Sequence, residues 1–186
     1  MDLADEEKHE LLARARRAIK SQLENAPAAI LQSSSGNLSK QPGVFVTLRV
    51  GTELRGCIGY VESKTPLPET VEEVACKAAF EDPRFPPVGS DELPALSIEI
   101  SILSPLEEVK NVERIEVGKH GLVIEGYGRR GLLLPHVATE YQWNREDFLR
   151  HTAQKAGLPP ESWRSGDVRI YSFTTETFSE AEPQPH

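Results

Sequence analysis

The run "ALSIEISILS" (95–104) constrains the fold more than any other stretch. Leu96, Ile98, Ile100 and Ile102 alternate with Ser97, Glu99 and Ser101. Successive side chains of a strand point to opposite faces, so this pattern demands a sheet with one apolar and one polar face. Two further strands are expected in "VFVTLRV" and "LRGCIGYV", joined across Gly51-Thr52 as a hairpin. Helical periodicity sets Leu11, Leu12, Ala15, Ala18, Ile19 and Leu23 on one stripe of residues 5–24. A second helix opens at "TPLPET" and runs to about Phe80 with Val71, Val74, Ala75, Ala78 and Ala79 inward. "QSSSGNLSKQPG" (32–43) reads as a loop, and "EDPRFPPVGSDELP" holds too much proline for either regular structure. Short strands are expected around "RIEV", "GLVIEG" and "GLLLP", with "GYGRRG" as a hairpin turn. Asn144 caps a helix that ends before Gly157, and "DVRIYSFTT" forms the last strand. Trp143 and Trp163 are expected to anchor that helix, and 180–186 to be a disordered tail. The outcome is an α+β domain around a mixed sheet with flanking helices.

The 186 residues suit one domain, spanning 1–186, with a full core. A net charge of −8 argues against a nucleic-acid partner. The basic clusters, Arg14 with Arg16 and Arg17, and Arg129-Arg130, read as solvated faces. No run is apolar enough to cross a membrane, and "MDLADEEKHE" is not a signal peptide. Cys57 and Cys76 are expected to be free thiols in a cytoplasmic protein. No metal-ligand spacing and no cofactor motif is present.

Chemistry concentrates in "LRGCIGY" (54–60). Alternation puts Arg55, Cys57 and Gly59 on one face, and Leu54, Gly56, Ile58 and Tyr60 on the core side. Arg55 beside Cys57 would favour the thiolate, with Gly59 leaving room beside the sulfur and Gly56 admitting a close backbone or ligand. In the alternative reading Cys57 is a small buried hydrophobe and the glycines mark a bulge. In "EDPRFPPV" the prolines fix Arg84 to grip a carboxylate or phosphate, unless it only staples the loop to Asp82 or Glu81. Glu99 faces either the same site or solvent. His120 in "GKHGL" is the better potential base for Cys57, ahead of His136 at a helix start.

The segments "FVTL", "LRGCIGY", "AAFEDPRFPPV", "IEISILSPLEEV", "VGKHGLVIE", "GLLLPHVATEYQWNREDFL" and "KAGLPPESW" occur in the order seen in the AMMECR domain family. The chain resembles that family from about Phe45 to Phe173. The prokaryotic members are termed AmmeMemoRadiSam system protein A. The resemblance implies an α+β fold with a larger and a smaller sub-lobe around a cleft. It further implies company with a Memo-like protein and a radical S-adenosylmethionine protein, and it supplies no reaction. Two departures stand out: His136 where many relatives carry glutamine, and His151-Thr152-Ala153 where a cysteine is frequent. An obligatory Cys57–His136 dyad is therefore not expected. The expectation is an accessory or adaptor protein whose cleft is lined by Arg55, Gly56, Gly59, Asp82, Arg84, Glu99 and His136. The alternative is an enzyme with Cys57 as nucleophile and His120 as base, acting on a small acidic or peptide substrate.

Overall fold

A computed structural model of the protein describes residues 1–27 and 36–180. Residues 32–35 of the expected loop, and 181–186 of the expected tail, lie outside the described residues. The structure has the expected α+β class. Its strands divide between two four-stranded sheets, each in its own compact unit: 1–102 with 176–186, and 103–175.

The larger unit holds α1 (Asp5–Leu23), β1 (Val44–Val50), β2 (Glu53–Tyr60), α2 (Leu67–Phe80), β3 (Leu96–Leu103) and β8 (Thr175–Ser179) in sheet order β2-β1-β3-β8. Both pairings of β1 are antiparallel. The apolar face is as the alternation requires: Val44, Val46, Leu48, Ile98 and Ile100 are fully enclosed, together with Val71, Val74 and Ala75 of α2. Burying each such side chain contributes roughly 1.5–3 kcal/mol, so this face stabilises the unit.

The register of β1 on β2 steps by one residue at Leu48/Arg49, so Arg49 lies opposite Leu54 and Leu48 opposite Gly56. Leu54, expected in the core, therefore shares the side of Arg49 and is only half-buried. The bulge of the alternative reading is present, and Arg55 is its extra residue.

The strand β8 was not expected. "TETFS" offers little apolar patterning, yet it closes the far edge of the sheet. Glu180, assigned to the tail, instead donates its N–H to the Ile98 carbonyl and accepts from Arg16 at 2.7 and 2.6 Å. Arg16 also donates to the carbonyls of Leu93 and Leu96. Arg14 is buried against Glu10 and Glu72. The first basic cluster is thus largely structural and not a solvated face; within it only Arg17 is fully exposed.

The smaller unit holds β4 (Glu107–Glu108), β5 (Gly121–Gly126), β6 (Arg129–Leu133), α3 (Pro135–Glu140), α4 (Arg145–Lys155) and β7 (Arg169–Phe173), with sheet order β4-β7-β5-β6. "RIEV" is not a strand: a single 3-10 turn over Val112–Arg114 precedes it and Ile115 plugs the core. The Asn144 side chain accepts from the Asp147 N–H at 2.9 Å, capping α4. Trp143 stacks on His151 of α4 with ring centroids 3.8 Å apart, and both tryptophans pack on this unit's core.

Candidate functional site

The site is built on the free edge of the first sheet. Cys57 stands opposite Thr47, and the Thr47 Oγ1 lies 3.4 Å from the Cys57 Sγ. In such a close antiparallel pair the backbone groups turn away from the neighbouring strand. Those of Cys57 therefore face the outer edge, where no described strand follows. The loop after α2 meets them with side chains: the Cys57 N–H donates to Asp82 Oδ2 at 2.9 Å, and the Cys57 carbonyl accepts from Arg84 Nη2 at 3.3 Å.

Asp82 and Arg84 form one rigid pair. Arg84 Nε and Nη2 donate to the two carboxylate oxygens at 3.0 and 2.7 Å, and the Arg84 N–H donates to Oδ1 at 3.1 Å. The hydrogen bond from Arg84 is the main reason the Asp82 carboxyl is held down to about 2, with the Cys57 and Arg84 N–H groups assisting. The Asp82 side chain is 2% exposed while that of Arg84 is 55% exposed. A buried carboxylate thus fixes a guanidinium whose outer edge faces water. The pKa of Arg84 is raised, first by its hydrogen bond to Asp82, and also by the charge of Asp82.

Arg55 does something different. Its Nε and Nη2 grip both oxygens of Glu92 at 2.7 and 3.0 Å, and its Nη1 donates to the Pro86 carbonyl at 2.9 Å. Its side chain is 13% exposed. Glu92 also accepts from the Gly89 N–H, and its pKa is lowered chiefly by the hydrogen bond from Arg55. Arg55 thus ties the proline loop to β2, and its charge is answered by Glu92. Sequence reasoning missed Glu92, because an acid 37 residues distant carries no local mark of its partner.

The two glycines have separate causes. A Cβ on Gly56 would lie 2.1 Å from the Ala78 carbonyl oxygen, so α2 lies directly on the strand there. A Cβ on Gly59 would strike the Phe45 ring at 2.3 Å. The room expected beside the sulfur at Gly59 is therefore filled by an aromatic ring, and Gly56 faces the helix, not a ligand. Glu99 stands opposite Thr47 on β3, which makes a row Cys57–Thr47–Glu99 on the polar face.

His120 and His136 belong to the smaller unit. The Nδ1 of His120 accepts from the Glu116 N–H at 3.0 Å, and His136 is exposed in the first turn of α3. The structure brings together Arg55, Cys57, Asp82 and Arg84 within the larger unit, with Glu99 on the same sheet face. Both cysteines are free, and burial followed by the charges of Glu72 and Glu81 pushes the Cys76 thiol up to about 11. No group of three His, Cys, Asp or Glu among the described residues is placed to hold a metal ion. No described helix is long and apolar enough to cross a membrane.

Comparison with known proteins covers both units. A family model described as AMMECR1 matches residues 12–178. Protein MJ0810 of Methanocaldococcus jannaschii is 44% identical over 163 residues, 83% of this chain and 81% of its own. Protein MK0488 of Methanopyrus kandleri is 44% identical over 188 residues, covering 96% of this chain and 91% of its own. The crystal structure of PH0010 from Pyrococcus horikoshii superposes with a TM-score of 0.91 at 38% identity, over 99% of this chain and 96% of the other. The chain belongs to the AMMECR1 family.

Proposed function

We propose that the protein is an accessory component that docks a protein partner through the β2 edge, with Cys57 and Arg84 at the centre of the contact. The observation that carries this reading is the Asp82–Arg84 pair: a guanidinium 55% exposed, yet immobilised by a carboxylate 2% exposed. Holding a cation in one geometry before contact reduces the ordering cost of binding and suits recognition of an acidic group. The Memo-like and radical S-adenosylmethionine proteins suggested by the family resemblance are the partners to try. A pull-down with each, purified, should retain one on the wild-type chain and on Cys57→Ser, and lose it on Arg84→Glu. Retention on Arg84→Glu as strong as on wild type overturns the reading.

One observation favours a catalytic alternative: the Arg84 Nη2 lies 3.3 Å from the Cys57 carbonyl, which places a guanidinium beside the residue that carries the thiol. In that reading Cys57 attacks a small acidic or peptide substrate held by Arg84. The hydroxyl of Thr47, the hydrogen-bond partner of the sulfur, is too weak a base at neutral pH to take its proton. Docking is therefore preferred. Turnover of any tested ester or peptide that vanishes in Cys57→Ser would reverse the order.

A further inference from the structure

The segment "GYGRRG" forms the β5–β6 hairpin, and its two-residue loop has φ of 52° at Tyr127 and 73° at Gly128. Left-handed backbone is unfavourable at a bulky side chain, and the Tyr127 ring is also 71% exposed.

The register then assembles charge beside it. Glu125 is opposite Arg130 on β6 and opposite Arg169 on β7, so the three side chains form one row across three strands. Arg129, at the end of the hairpin, completes a set of three arginines around a cavity of about 390 Å³, which Gly126, Gly128 and Asp167 also line. Three guanidiniums against two carboxylates leave the lining residues at +1 on a chain whose total is −8, and Arg169 is also drawn to Glu108 and Tyr171 outside the lining. Both acids are engaged. Glu125 accepts from the Tyr171 hydroxyl at 3.2 Å and pairs with Arg130 at 3.4 Å. Asp167 acts on the Tyr127 phenol, raising its pKa by its charge first and a hydrogen bond last. Tyr127 stands between Gly126 and Gly128, which both line the cavity, so the tip of the hairpin is its neighbour. Arg129 gives one N–H to the Gly157 carbonyl, which steadies its side chain and leaves further donors.

We propose that this cavity binds the phosphate of a small nucleotide-class ligand, with the base stacked on Tyr127. Planar guanidiniums match phosphate oxygens in pairs, and Gly128, with open space where a Cβ would be, lets the ligand approach the backbone. The volume lies in the range of roughly 300–1,000 Å³ typical of small-molecule sites. The exposed ring supplies a face that any base can stack on. A nucleic-acid strand is the weaker occupant, because the basic groups cluster at one hairpin end and form no track for a backbone.

The test is a titration of the isotope-labelled full chain with AMP, ribose phosphate, inorganic phosphate and a single-stranded RNA oligonucleotide, followed by amide shifts. AMP should give saturable shifts confined to residues 125–131 and 167–169. The paired substitution Arg129→Ala and Arg169→Ala should weaken AMP by about tenfold or more, in a chain whose amide spectrum away from the hairpin shows it still folded. Tyr127→Ala should reduce AMP to the affinity of ribose phosphate and leave ribose phosphate itself unaltered. The proposal is overturned by the absence of saturable shifts at millimolar AMP, by AMP binding that ignores the arginine pair, or by RNA affinity that rises with strand length and displaces AMP. These residues lie outside the β2 edge, so either proposal can fail alone.

Discussion

Arg55 and Arg84 hold the same proline-rich loop from opposite ends, and they differ in what they leave free. Arg55 closes on Glu92 and two carbonyls, and its side chain is almost wholly covered. Arg84 closes on Asp82 and the Cys57 carbonyl, and more than half of its side chain remains in water. Two guanidiniums would repel if they shared one acid. Here each has its own carboxylate, so neither needs a ligand to stay in place. The first is a fastener, and the second is a fastener that also presents a charge.

The largest effect expected around this pair comes from the strand that both arginines hold. Gly56→Ala would bring a methyl carbon to 2.1 Å from the Ala78 carbonyl oxygen, a backbone atom that cannot swing aside. Either α2 lifts from the sheet or β2 shifts, and both open the core beneath Leu48 and Val74. A loss of about 3 kcal/mol or more in chemical denaturation is expected. A loss under about 1 kcal/mol would show that α2 yields easily, and that the proline loop rather than the helix sets the position of the strand.

Asp82→Ala tests the exposed arginine from beneath. It removes the acceptor of the Cys57 N–H and the counter-charge of Arg84 together, which should cost about 2–3 kcal/mol. The pH dependence has a definite sign. The Asp82 carboxyl sits at about 2 when folded, below its ordinary value of 3.8. A depressed pKa contributes stability that is fully present above the unfolded value and lost as pH falls through the folded one. The stability gap between wild type and Asp82→Ala should therefore be widest above pH 4 and close towards pH 2, as measured by urea denaturation across that range. A gap independent of pH would assign the loss to packing instead.

Much of the first sheet could be read directly, because strict alternation in "LSIEISIL" and the helical stripe of α2 are local patterns that tertiary structure did not override. What escaped was non-local. The bulge at Arg55 depends on how β1 and β2 register, and it turned Leu54 out of the core. The strand β8 lacks apolar alternation and is held by Arg16, 164 residues from Glu180. For the site, the Arg84–Asp82 staple lies two residues apart and was visible as an alternative. The partner of Arg55 was not visible. Glycine likewise announced a close approach at 56 and 59, while only the fold distinguished a helix carbonyl from an aromatic ring.

The smallest effect is the sharpest test of the contrast between the arginines, because it reads the sulfur itself. Iodoacetamide reacts with thiolate, and the reaction follows thiolate fraction and access. Cys76, pushed up to about 11, holds almost no thiolate at neutral pH, so Cys57 should be labelled first. Arg84 donates to the Cys57 carbonyl and so holds its cation beside that residue, whereas the charge of Arg55 is spent on Glu92. Arg84→Ala should therefore slow the labelling of Cys57 by about two- to fivefold, and Arg55→Ala should change it by less, once both proteins are shown folded. Equal slowing by the two substitutions would mean that the loop as a whole, not the guanidinium of Arg84, sets the environment of the thiol. Faster labelling in Arg84→Ala would mean that the arginine shields the sulfur rather than activating it, and the β2 edge would then be a covered contact surface with no poised thiol.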